Sequence, residues 1–95
     1  RLAASNDSKF YNGRAYTFFK TLPVNELSDA TNVNETAKLA QESGGDALVM
    51  AYGNIDEIAL SNFVNQLKSS GVISVIVDYA KTPEATSRVE LYLAR

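Results

Sequence analysis

The chain has 95 residues, of which 45% are apolar and 21% are charged, with a formal net charge of −2. This length and composition predict one small globular domain rather than two domains or a disordered segment. The nine basic residues are scattered, so the sequence lacks the basic stripe with which nucleic-acid-binding proteins neutralise phosphates.

The sequence contains no cysteine and no histidine, which removes disulfides, thiolate metal sites and the commonest catalytic bases and nucleophiles. We therefore expect no catalytic residues, no metal site and no cofactor. The longest apolar run is far shorter than the roughly 20 residues that span a bilayer. Because the chain begins with Arg1, we expect a domain cut from a longer protein, with any targeting segment upstream.

The first 13 residues are rich in Ser, Asn and Asp, a composition typical of a loose lead-in or linker. We expect residues 14–95 to form a single α+β domain. The segment 14–22 fits two patterns. Alternation at period 2 favours a strand, whereas Tyr11, Ala15, Phe18 and Leu22 make one helical stripe. Pro23 ends either element.

A first helix is predicted to begin at Asn32, which can cap it with Glu35 at the capping-box spacing. Gly44 and Gly45 end this helix. The segment 46–52 (DALVMAY) is apolar at nearly every position, which predicts a strand in the centre of the sheet.

The second helix has the clearest signals for its start and its end. Asn54 is the expected N-cap, with Glu57 three residues later. Gly71 falls where a left-handed residue ends a helix, and Val72 can then contact Leu67. The apolar stripe of this helix consists of Ala59, Leu60, Phe63, Val64 and Leu67.

Two strands complete the chain. In the first, Ile73, Val75, Val77 and Tyr79 point to one face, and Ser74 and Asp78 point to a partly wet face. In the second, residues 88–93 (RVELYL), the inward residues are Val89, Leu91 and Leu93, and the outward residues are Glu90 and Tyr92. A polar turn around Pro83 separates them, so we expect an antiparallel hairpin.

This element order predicts an α+β fold of the ferredoxin-like type. The expected sheet has three or four largely antiparallel strands, with the helices packed on one face. The last strand is apolar enough that its edge would need either protection or a partner strand, which favours self-association.

The candidate interface residues lie on outward positions of the predicted strands and in the aromatic cluster of residues 10–19. Most of these rings are expected in the core, and the alternative for some of them is an exposed patch for a partner, because both patterns put large rings on more than one side of segment 14–22. Asp78 is the best carboxylate for chemistry because it lies near the end of a strand, although a solvent-facing structural role is favoured. The possible interface residues are Tyr16, Phe18, Ser74, Asp78, Glu90 and Tyr92.

The second half of the chain, from ALVMAYGN through IDEIALSNFVNQLKSSG and VISVIVDY to RVELYLA, resembles the extracytoplasmic domains of PilN- and PilO-type pilus assembly proteins. The upstream FFKTLP is similar to the LP that follows the coiled-coil region in the PilN group, so the resemblance implies the end of an upstream coiled coil as the alternative to a linker for residues 1–13. Residues 24–45 depart from the simplest layout of that group.

The resemblance implies a non-catalytic scaffold domain of a type IV pilus or related type II secretion platform. It would lie on the extracytoplasmic side of the membrane, anchored by a segment missing from this chain. It would form a homodimer or a heterodimer with a related assembly protein and align parts of the machine. Two alternatives are an ACT-like domain that binds a small molecule and, less favoured, an enzyme that uses carboxylates such as Asp78.

Overall fold

The computed structural model describes residues 8–80 and 87–94. These residues form an α+β fold in which two helices pack against one face of a curled five-stranded sheet. The strands are β1 (Ser8–Tyr11), β2 (Arg14–Pro23), β3 (Asp46–Tyr52), β4 (Ser74–Tyr79) and β5 (Arg88–Ala94). The helices are α1 (Ala30–Glu42) and α2 (Glu57–Ser69), and a short 3-10 turn covers Val24–Glu26. No helix in these ranges is long and apolar enough to cross a membrane.

The strand order across the sheet is β1-β2-β5-β3-β4. All neighbours are antiparallel except β3 and β4, which are parallel and joined through α2. The sheet therefore has five strands and is mixed, where three or four largely antiparallel strands were expected.

The expected hairpin between the last two strands is wrong. β5 lies between β2 and β3, and β4 lies at the edge beside β3. β5 takes a central position because most of its side chains are buried on both faces of the sheet, and a doubly apolar strand is stable only between two neighbours. The turn around Pro83 lies outside the described residues.

Residues 8–13, which were expected to be a linker or the end of an upstream coiled coil, instead form β1 and its turn into β2. The turn residues Asn12 and Gly13 have φ values of 53° and 78°, the left-handed conformations that two-residue hairpins use. Residues 1–7 lie outside the described part of the chain.

Segment 14–22 is a strand, and a bulge explains why its pattern was ambiguous. The register of β2 against β5 shifts between Phe18 and Lys20. Phe18 packs on the helix-free face, whereas Leu22 packs under the helices. An extra residue in one strand reverses the faces of all later side chains, so period 2 holds on each side of the bulge but not across it.

Both helices are capped by an aspartate and not by the predicted asparagine. Asp29 caps α1 by accepting from Thr31 N–H at 2.8 Å, and Asp56 caps α2 by accepting from Ile58 N–H at 2.9 Å. Asn32 lies inside α1, where its amide donates to the Glu26 carbonyl. Both helix ends are as predicted: Gly71 has φ +108° and Val72 N–H donates to Leu67 O.

The core lies on both faces of the sheet. Beneath the helices, Phe63 and Leu67 of α2 pack with Val49 of β3 and Leu91 of β5. The helix-free face carries a second buried cluster, which consists of Tyr16, Leu48, Met50, Tyr92 and Ala94. A curled sheet therefore encloses part of its own inner face and buries large side chains there without a helix.

Candidate interaction site at the β4 edge

β4 is the edge strand beside β3, and the N–H and C=O groups of its successive residues point alternately toward β3 and away from it. Ser74 N–H donates to Gly45 O at 3.2 Å and Ala80 N–H donates to Ala51 O at 2.9 Å. In a parallel ladder this places the N–H and C=O groups of even-numbered residues toward β3. The backbone groups of Val75, Val77 and Tyr79 consequently point away from the sheet, and no strand of the described ranges pairs there.

This edge has few of the features with which proteins usually discourage strand pairing, and Asp78 is its one charged residue. β4 contains no proline, lysine or bulge, whereas the opposite edge strand, β1, is only four residues long and carries Lys9. One outward amide is engaged locally, since Tyr79 N–H donates to Asp78 Oδ1 at 2.8 Å. The β4 edge is therefore the better template for a partner strand.

Large apolar side chains are exposed at both ends of β4. Ile73, just before the strand, is 79% exposed and Tyr79, its last residue, is 45% exposed. Ile73 lies against Gly45, where any side chain would collide with it. Such exposure on an edge strand is typical of a surface that a partner covers.

A shallow groove of about 310 Å³ runs along the helix side of this edge. α2 contributes Glu57, Ser61, Val64 and Lys68 to its wall, and Val77 and Tyr79 of β4 form its floor. The Tyr79 hydroxyl donates to Glu57 Oε1 at 2.9 Å, and this hydrogen bond raises the pKa of Tyr79. The groove has an apolar centre between a carboxylate at one end and an ammonium at the other.

The six residues predicted as a possible interface all project to the helix-free face, as register and alternation show. Ser74 is exposed, and Phe18, Asp78 and Glu90 are half-buried. Tyr16 and Tyr92, in contrast, are each only 2% exposed. The expectation that Tyr92 points outward to solvent is therefore wrong, because the curl of the sheet encloses its ring.

The enclosed rings are held by specific contacts. The Tyr92 hydroxyl donates to Glu90 Oε1 at 2.9 Å, and its ring packs edge-on against Phe18 with centroids 5.6 Å apart. The Tyr16 ring packs edge-on against Tyr11 at 6.3 Å. These contacts indicate a packed second core rather than an open docking surface.

Asp78 is also engaged and does not simply face solvent. Its Oδ2 accepts a 2.5 Å hydrogen bond from the Tyr11 hydroxyl, which lies 3.5 Å from Met50 Sδ. The bond to Asp78 is the main reason that the pKa of Tyr11 rises to about 12, and partial burial adds to it. Asp78 therefore ties β4 to β1 across the open side of the curl.

The charged rim of the helix-free face is internally paired. Arg14 forms an ion pair with Asp46. Arg88 lies 3.4 Å from Glu90 and places its guanidinium 4.0 Å from the centre of the Tyr52 ring. Among residues 8–80 and 87–94, no three acidic side chains converge as a metal site would require.

Sequence reasoning found the residues of the helix-free face but missed the β4 edge, because it paired β4 with β5. In the sequence Ile73 is one of four apolar or aromatic residues assigned to one face of the strand, and its exposure is evident only in the structure. No protein-family model matches this chain, and no curated protein matches it.

Proposed function

We propose that this chain is a non-catalytic interaction domain that assembles by accepting a partner at the β4 edge. The observation that carries the proposal is that edge: the outward backbone groups of Val75, Val77 and Tyr79, with exposed apolar side chains at both ends. Strand addition of this kind draws affinity from main-chain hydrogen bonds and specificity from alternating side chains.

The proposal includes the setting that the sequence resemblance implies. The domain would serve a type IV pilus or related secretion platform on the extracytoplasmic side of the membrane, as a homodimer or a heterodimer with a related assembly protein. Support comes from the order β3, α2, β4, β5 over residues 46–94. This order of strand, helix, strand and strand is the order expected from the segments that resemble PilN- and PilO-type domains. The ferredoxin-like relationship is part of the same proposal, although the parallel β3–β4 pair departs from the antiparallel sheet expected.

A single substitution in the encoding organism tests this role. Val77→Pro removes an N–H that points away from β3, so the fold keeps its ladder while the edge loses a donor. We expect surface pili, counted by electron microscopy, to be lost while the protein level on immunoblots is unchanged. Phe10→Pro, on the opposite edge, is the comparison variant, because the hairpin register directs the Phe10 N–H away from β2. Normal pili in the Val77→Pro strain would overturn the platform role.

The ACT-like alternative has one observation in its favour. A cleft of about 220 Å³ lies between the 3-10 turn and α2, with the amides of Asn25, Asn62 and Gln66 around Phe63. This volume is below the roughly 300–1,000 Å³ of most ligand pockets, so only a small ligand such as an amino acid would fit. Binding to the folded state would raise the melting temperature, and a flat response to all amino acids would exclude it.

A further inference from the structure

We propose that the partner at the β4 edge is a second copy of this chain, paired antiparallel about a twofold axis at Ile76. The inference rests on the proposed function and adds the identity of the partner and its register. In this register Ile76 faces Ile76 of the other copy, Val75 faces Val77, and Ser74 faces Asp78. A twofold interface requires such a self-complementary strand.

The backbone directions are consistent with this register. Residues that face each other across an antiparallel pair must belong to the same face of the sheet, which restricts the choice to registers that pair even with even and odd with odd positions. In all of these, the outward N–H and C=O groups of Val75 and Val77 meet those of the other copy. The Ile76 pair is then of the type without hydrogen bonds, in which side chains lie closest.

The side chains select one register from this set. Pairing about Ile76 overlaps Ser74–Asp78 of β4, places Tyr79 opposite Ile73, and matches apolar with apolar and polar with polar positions. A shift by two residues toward the end of the strand places Asp78 opposite Ile76, and a shift by four places the two Asp78 carboxylates opposite each other. Both shifts are penalised, because a carboxylate would lie against an apolar side chain or against a like charge.

The groove beside β4 gives an independent argument for the second copy. The twofold axis at Ile76 brings the two α2 helices side by side. Because this axis reverses the direction of each element, the two helices run antiparallel to each other, as the two β4 strands do. Glu57 then lies near Lys68 of the other copy, at both ends of the shared groove. Val64 and Val77 of each copy cover the apolar centre. Opposite charges at the ends and valines in the middle match this arrangement.

Cysteine cross-linking tests the register directly, since the chain has no cysteine of its own. Cα atoms of a directly opposed pair lie ~4.5–5.5 Å apart, within the reach of a disulfide. We expect Ile76→Cys to form a covalent dimer on mild oxidation, and Ser74→Cys to do so only when mixed with Asp78→Cys. Equal cross-linking of Ser74→Cys alone would overturn the register.

Sedimentation velocity over a concentration series tests the partner. The unmodified chain should shift from monomer to dimer, and Val77→Pro should weaken the dimer about tenfold or more, since hydrogen bonds of the added strand are lost. Circular dichroism must show that Val77→Pro stays folded, and if it does not, Val77→Lys replaces it as a charged edge residue. A strict monomer at all concentrations overturns the inference.

The two proposals fail in different ways. If Val77→Pro abolishes pili but the purified chain is monomeric, the edge serves another protein and the second-copy inference is wrong. If the Ile76→Cys dimer forms and the Val77→Pro strain makes normal pili, the dimer stands and the platform role is wrong.

Discussion

The hydroxyl of Tyr11 donates a 2.5 Å hydrogen bond to Asp78 Oδ2, and this contact joins β1 to β4, the two strands at opposite ends of the sheet order. In a flat sheet, four strand spacings of ~4.8 Å would hold these edges about 19 Å apart. The sheet therefore curls until one tyrosine reaches across, and Tyr16, Leu48 and Tyr92 are buried inside the curl.

Tyr11→Phe removes this bond and leaves Asp78 without its phenol donor. Hydrogen bonds to charged groups contribute somewhat more than neutral ones, and partial exposure reduces the effect, so we expect unfolding in urea to become easier by about 1 kcal/mol. Tyr79→Phe is the matched control, because the Tyr79 hydroxyl also bonds a carboxylate but at an exposed site. Equal losses for the two variants would contradict a special role for the Tyr11–Asp78 bond.

The stability of the protein should fall at alkaline pH because of the same bond. Folding raises the pKa of Tyr11 from 10.0 to about 12, so the folded state holds this proton more tightly than the unfolded state. The contribution is complete below pH 10 and is lost as the pH rises to about 12. Absorbance titration of the phenolates should show a late-titrating tyrosine that is absent in Tyr11→Phe and shifted down in Asp78→Asn.

The two sides of the sheet should contribute comparably to stability. Leu48 on the helix-free face and Leu91 under the helices are both fully buried. Replacing either by alanine should cost about 2–5 kcal/mol, the range for buried leucines. Urea unfolding of the two variants compares them. A Leu48→Ala variant that loses less than about 1 kcal/mol would mean that the inner face is not closely packed.

The capping aspartates should contribute more to the stability of the fold than the asparagines that the sequence pattern favoured. Asp29→Ala and Asp56→Ala each remove a side-chain acceptor for a helix N–H, and each should cost about 1 kcal/mol. Asn54→Ala should cost less, since its backbone and not its side chain contacts Ser87. Thermal unfolding of the three variants gives the ranking, and a larger loss for Asn54→Ala would contradict these caps.

The sequence by itself determined the features that depend on neighbours a few residues away. The apolar stripe of α2, its end at Gly71 and the doubly buried strand β3 all followed from local spacing. The choice between Asn54 and Asp56 as the cap of α2 did not, because capping-type residues stand close together there and only backbone geometry selects one.

Tertiary structure alone decided the strand order and, with it, the candidate site. β5 lies between β2 and β3 through pairs such as Thr17 with Leu93, and Tyr11 meets Asp78 across 67 positions of sequence. The side-chain alternation of β4 and of β5 fits both the expected β4–β5 hairpin and the observed strand order. Periodicity therefore could not show which of the two strands lies at the edge of the sheet. That choice depends on burying the faces of all five strands together, and it leaves β4, not β5, at the edge.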